Sequence, residues 1–202
     1  MVAITANSPY LFGRDLWAET RIPLFEQAVD TGIGQSAARV TLGSGYVTQS
    51  LLECFRENLA CYPVLLPVLK DEPSEQLSHL RLHNGTIWRW NRPLIGLDAG
   101  GDPQGRIEHR VMPAGPSLID AIANAALFFG MVRYYSADPE PLHRHLNFAQ
   151  ARANFYRAAR DGVDAVIVWT DGAEISVRKL MQERLLPNAR AGWELLALDA
   201  AD

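Results

Sequence analysis

Two alternating tracts separated by one turn constrain this chain more than any other feature. In Trp88-Arg89-Trp90-Asn91-Arg92-Pro93 a period of two places Trp88, Trp90 and Arg92 on one face and Ile87, Arg89 and Asn91 on the other. Pro93 has no N–H to give a ladder, so the strand either stops there or lies at a sheet edge. Asp98-Ala99-Gly100-Gly101-Asp102-Pro103-Gln104-Gly105 is dense in turn formers and predicts a connection between neighbouring antiparallel strands. The second tract then sets Arg106, Glu108 and Arg110 on one face against Ile107, His109 and Val111 on the other. A carboxylate between two guanidinium groups is either an ion-paired solvent surface or a site for polyanion and metal. Spacing alone favours the solvated face.

A long helix follows the two strands. Ser117 with Asp120 forms a capping pattern, and Leu118, Ile122, Ala125, Phe129 and Val132 make an uninterrupted apolar stripe. Elsewhere Asp15 predicts the cap of a helix bearing Leu16, Trp17, Leu24, Phe25 and Ala28, bent at Pro23. Residues 31–46, with four glycines, read as a loop. Ser50 and Glu53 cap a helix whose stripe of Leu51, Leu52, Phe55, Leu59 and Tyr62 is expected in the core. Asn147 to Arg160 reads as a helix ended by Gly162. Residues 164–169 and 173–176 read as a strand and a return strand, and the remainder as amphipathic helix with a new piece starting at Pro187. Helices mixed with antiparallel strands define an α+β class, a small antiparallel sheet flanked by helices.

Composition narrows the function classes. With 202 residues, 48% hydrophobic and 21% charged, the chain is expected to form a single domain over 1–202. A net charge of -4 and a pI near 5.7 argue against a nucleic-acid footprint, which needs a basic face. No apolar run approaches the roughly 20 residues that cross a bilayer, and a cytoplasmic address is the expectation. Cys54 and Cys61 lie seven positions apart, about 10 Å along a helix axis, too far for a bridge. They read as buried free thiols. His143 and His145 read as an exposed loop pair, because no further metal ligands can be placed beside them.

Several tracts resemble one family. Trp90-Asn91-Arg92-Pro93, Gly105-Arg106-Ile107-Glu108-His109-Arg110 and Asp120-Ala121-Ile122-Ala123-Asn124-Ala125-Ala126 resemble the C-terminal half of the glutamate-cysteine ligase-type carboxylate-amine ligases. Ala6-Asn7-Ser8-Pro9, with Gly13-Arg14-Asp15 and Arg21 behind it, resembles the family's Ala-Asn-Ser-Pro segment. Asn154 to Gly162 resembles its Asn-x-x-Arg-Ala-x-Arg-x-Gly helix end. The order of these blocks and their spread over nearly the whole chain make the resemblance specific.

The resemblance implies part of a glutamine synthetase-like catalytic domain that joins an acid to an amine with ATP and Mg²⁺, as in glutathione biosynthesis. It implies that Glu108 ligates Mg²⁺, that Arg110 contacts ATP phosphates, and that Arg92 faces the substrate carboxylate or the phosphoryl group. Arg21, Asn154 and Arg157 are implied on the nucleotide, and for these three and Arg92 solvent-exposed or structural roles are equally open. Trp88 and Trp90 read as strand-face packing rather than a base-stacking platform, and His109 as a packed or hydrogen-bonding residue. The family's N-terminal Gly-x-Glu-x-Glu-like strand, a source of further metal-binding carboxylates, has no counterpart here. Three expectations follow: the chain is a fragment, its missing half comes from another polypeptide, or catalysis is lost and it serves as a non-catalytic binding or assembly module keeping the ligase fold; apolar surface left by the absent half is expected to favour a homo-oligomer.

Overall fold

A computed structural model describes residues 1–29 and 38–196. Part of the glycine-rich stretch read as a loop, residues 30–37, lies outside the described residues. Contacts divide the chain into two compact units: Met1–Arg21 with Met112–Asp202, and Ile22–Val111.

The first unit opens with α1 (Val2–Thr5), followed by a short hairpin of β1 (Tyr10–Leu11) and β2 (Arg14–Asp15). A helix begins at the end of this unit, α2 (Arg21–Ala28), five residues later than Asp15 predicts. Asp15 pairs with Tyr10 in the hairpin instead of capping a helix. Pro23 falls within the first turn of α2, where its missing N–H leaves no vacant hydrogen bond, so no bend arises.

In the second unit β3 (Val40–Thr41) runs parallel to β4 (Trp88–Arg89), and α3 (Leu52–Cys61) and α4 (Ser78–Gly85) lie between them in sequence. The α3 cap forms as read: the Glu53 carboxylate accepts from the backbone N–H of Ser50 at 2.8 Å and of Gln49 at 2.7 Å. Its stripe is only partly core, since Phe55 and Tyr62 are buried while Leu52 and Leu59 are exposed. Cys54 and Cys61 are free and half-buried, and burial pushes the Cys54 thiol up. The strands then pair over seven residues, β5 (Asn91–Leu97) with β6 (Pro103–His109), in a register that sets Arg92 opposite Glu108 and Pro93 opposite Ile107. Pro93 therefore sits inside the strand. It is tolerated because the ladder has only two strands, each an edge. Ile22, Val40, Ile87, Trp90 and Val111 form the buried centre.

The rest of the first unit is helical. In α5 (Leu118–Ser136) the Ser117 hydroxyl accepts from the Asp120 N–H at 3.3 Å, as its capping pattern predicts. Asn147 caps α6 (Phe148–Asp161) by accepting from the Gln150 N–H, and Gly162 ends it at φ +59°. The short pair β7 (Val166–Val168) and β8 (Glu174–Ser176) leads to α7 (Val177–Leu180), a single π turn, and α8 (Leu186–Glu194), which has Pro187 in its first turn. The core gathers Val2, Ala159, Ile167, Val177, Leu180 and Leu185.

Within this unit α5 and α8 meet through glycines. A Cβ on Gly192 would strike the Gly130 carbonyl and stand 3.0 Å from the Tyr134 N, and a Cβ on Gly130 would come within 2.8 Å of the Trp193 ring. The Trp193 indole N–H donates to the Ala126 carbonyl at 2.8 Å across this contact. No helix among the described residues is long and apolar enough to cross a membrane.

Candidate functional site

The register of β5 and β6 builds a charged face. Directly opposite pairs and their same-face neighbours put Arg92, Leu94 and Gly96 of one strand beside Glu108, Arg106 and Gln104 of the other. Arg92 sends Nε to Glu108 Oε2 at 3.0 Å and Nη2 to the same oxygen at 2.8 Å, while Arg110 sends Nε there at 2.8 Å. Both guanidinium groups thus crowd one carboxylate oxygen, and Oε1 accepts no hydrogen bond among the described residues. The arginine side chains are 14% and 15% exposed and the glutamate 37%. This is a half-buried cluster and not an apolar core.

Two aromatic rings fix Arg110 from below. Its guanidinium carbon lies 3.7 Å over the Trp88 ring, and Trp88 in turn packs on Phe25 with centroids 4.6 Å apart. Trp90 is fully buried. The tryptophans therefore pack as read, with Trp88 also serving as the arginine's platform. A third guanidinium, that of Arg106, lies across the backbone of Gly96, where any Cβ would collide with it. Burial works to raise the Glu108 carboxyl, but the hydrogen bond from Arg110 and the charges of Arg92 and Arg110 outweigh it and hold the group below the usual carboxylate range. The face carries three cations and one anion, a surplus of positive charge suited to an anion.

His109 points to the other face, as the alternation predicts. Its Nδ1 lies 2.6 Å from the Asn91 side-chain oxygen, and burial drives its pKa down to about 4. Because the folded value lies below the ordinary 6.5, the unfolded chain takes up a proton first as the pH falls. Stability is thus full above about pH 6.5 and drains away toward pH 4, by a few kcal/mol in all. Urea unfolding at pH 7.5 and pH 4.5 is expected to show a smaller pH-dependent loss in His109→Gln than in the parent. Equal losses in both would show that the ring does not carry this term.

The remaining candidates belong to the first unit, and two of them have clear structural duties. Arg21 donates from Nε to Glu19 Oε1 at 3.2 Å. Glu19, which the sequence reading does not single out, is wholly buried and also accepts from the Ser8 hydroxyl at 2.7 Å and the Asn7 N–H at 3.4 Å. The available signal was the Glu-x-Arg spacing at the head of α2, beside the Asn7-Ser8-Pro9 segment. Asn154 donates from Nδ2 to the Val168 carbonyl at 2.6 Å and accepts from the Val168 N–H at 3.1 Å, which pins the end of β7. Asn154→Ala leaves both backbone groups unpaired and is expected to lower stability by about 2–3 kcal/mol, measured by urea denaturation. Arg157 is half-buried on α6; the hydrogen bond from Arg160 holds Asp161 low, with the charges of Arg160 and then Arg157 adding to it.

No group of three or more His, Cys, Asp or Glu side chains among the described residues is placed to hold a metal. What the cluster offers is one carboxylate oxygen, Glu108 Oε1, beside guanidinium groups. That set fits a magnesium carried in on a polyphosphate and completed by phosphate and water, and it does not fit an all-protein cage.

The chain matches the family model of glutamate-cysteine ligase family 2 (GCS2) over residues 1–200, and it belongs to that family. A search of curated proteins found no match.

Proposed function

We propose that this chain provides the phosphate- and carboxylate-binding face of an ATP-dependent carboxylate-amine ligase of the glutamate-cysteine type. The observation that supports the reading most is the convergence of Arg92 and Arg110 on a single oxygen of Glu108, with Arg106 beside them. In such a reaction an acid's carboxylate oxygen attacks the γ-phosphorus of ATP and ADP leaves. The amine then attacks the acyl carbon of the acyl phosphate, losing a proton as phosphate departs. Both partners in the first step are anions. Guanidinium groups held rigidly in a half-dry setting lower their repulsion and match phosphate or carboxylate geometry with paired N–H donors.

Within this reading Arg110, clamped between the Trp88 ring and Glu108, is the phosphate contact. Arg92 faces the transferring group or the acid's carboxylate. Glu108 orients both and offers its other oxygen to magnesium, which when bound neutralises charge on the phosphoryl oxygens. Arg21, Asn154 and Arg157 are proposed on the nucleotide side, Arg21 aimed by Glu19.

The absence of a three-carboxylate cluster among the described residues favours a second reading, a binding module that keeps the face without turnover. ADP formation in the presence of glutamate, cysteine and related acid and amine pairs separates the two. The ligase reading predicts ADP release that needs both co-substrates and falls about a hundredfold or more in Glu108→Gln and Arg110→Lys. ATP binding without turnover supports the module, and absence of both contradicts the two readings together.

A further inference from the structure

The second unit holds a hollow that shares no residue with the β5–β6 face. Residues 63–69, an apolar run broken by Pro63 and Pro67, form no helix or strand. With α4 they enclose a cavity of about 230 Å³, walled by Val64, Leu66 and Val68 of the run and by Leu82, His79 and His83 of the helix. The two histidines stand one turn apart on the same side of α4. Arg39, wholly buried, ties the two walls together. Its Nη2 donates to the Pro63 carbonyl at 2.6 Å, and its Nη1 to the Thr86 carbonyl and hydroxyl at 3.3 and 3.1 Å.

One polar atom of these walls lacks a partner. His83 is 8% exposed, and its Nε2 lies 3.3 Å from the Asn58 carbonyl. A carbonyl only accepts, so Nε2 carries the proton and Nδ1 is a bare acceptor. Nδ1 is buried, and no donor reaches it among the described residues. The other side-chain acceptors of the lining are engaged. His79 Nε2 accepts from the Lys70 N–H at 3.0 Å, while the Thr86 hydroxyl accepts from Arg39 and donates to the His83 carbonyl at 2.8 Å. A buried acceptor left without a donor is costly, and a ligand that supplies one recovers that cost.

We propose that this hollow binds a small neutral molecule with an apolar body and one hydroxyl, the hydroxyl donating to His83 Nδ1. Size, polarity and charge each select that chemistry. An apolar cavity of about 150 Å³ takes benzene, so the larger hollow has room for a ring of that size with a substituent or two. The single vacancy is an acceptor, so the ligand must bring a donor. Beyond the two histidines and Thr86 the lining is valine, leucine and proline, where a carboxylate or an ammonium would lose its hydration with no counter-charge to replace it. The Nη donors of Arg39 are already committed to Pro63 and Thr86.

Titration calorimetry of the whole chain with 4-methylphenol, toluene and 4-methylbenzoate tests this, together with ¹⁵N spectra of the imidazole nitrogens. The phenol is expected to bind about tenfold more tightly than toluene, the worth of one hydrogen bond, and 4-methylbenzoate not at all. Saturation with the phenol should move the His83 Nδ1 signal, and saturation with toluene should leave it in place. In His83→Phe the preference for phenol over toluene is expected to vanish. Leu66→Trp, which fills the hollow from its exposed rim, should abolish binding of both, and it decides the matter even where His83→Phe fails to fold. Toluene binding as tightly as the phenol, 4-methylbenzoate binding more tightly than either, or a Nδ1 signal unmoved by the phenol would overturn the proposal. So would binding retained in Leu66→Trp, a phenol preference retained in His83→Phe, or no binding of either neutral compound.

Discussion

Gly192→Ala is expected to lower the unfolding free energy by about 3 kcal/mol or more, which for a chain of this size shifts the melting temperature by roughly 10 °C. The new methyl would collide with the carbonyl of Gly130 and crowd the backbone N of Tyr134. These are main-chain atoms within α5, so no side chain can swing aside. Relief requires the helices to separate, and separation breaks the bond from Trp193 to the Ala126 carbonyl and the one from Asn188 to the Tyr135 hydroxyl. Gly45→Ala serves as the control, because nothing lies within 4 Å of the added carbon. It is expected to change stability by less than about 0.5 kcal/mol. Urea denaturation of both variants checks the difference, and equal stability would mean that α5 and α8 do not meet through their glycines.

Glu19→Ala is the second change with a large expected effect. The carboxylate has no contact with solvent, and its removal takes one acceptor at once from the Arg21 guanidinium, the Ser8 hydroxyl and the Asn7 N–H. Leaving a partly buried cation and two neutral donors without their acceptor costs about 3–5 kcal/mol. Glu19→Gln keeps the shape and one acceptor oxygen, so it should recover part of that loss while weakening the hold on Arg21. Thermal unfolding of the pair checks the order: parent most stable, then glutamine, then alanine. Alanine within 1 kcal/mol of the parent would contradict the buried placement of Glu19.

Local chemistry made much of this fold legible. Capping patterns at Ser50 and Ser117 gave the starts of α3 and α5, because each side chain satisfies N–H groups within a few residues of itself. The alternation in 106–111 gave the faces of β6, since a period of two does not depend on distant partners. Asp15 misled for the converse reason: the same side-chain type suits a cap and a tight hairpin, and the pairing with Tyr10 decides between them. The apolar stripe of α3 is expected in the core and is only partly so, because periodicity reports which residues share a face and not whether something covers it. Within the candidate site, Glu108 and Arg110 were visible as neighbours two apart on one strand. Arg92 needed the cross-strand register to be placed opposite them, and Glu19 needed the fold, because its partners at Asn7 and Ser8 are more than ten positions away.

The anion-binding face of β5 and β6 is the claim on which the functional reading rests, and titration calorimetry with ATP and magnesium measures it most directly. The parent chain is expected to bind with an affinity that falls steeply as salt is raised, with Arg110→Ala and Arg92→Ala each at least tenfold weaker and an exposed control, Arg144→Ala, unchanged. Equal affinity in all four proteins, or no heat of binding in any, would contradict the claim.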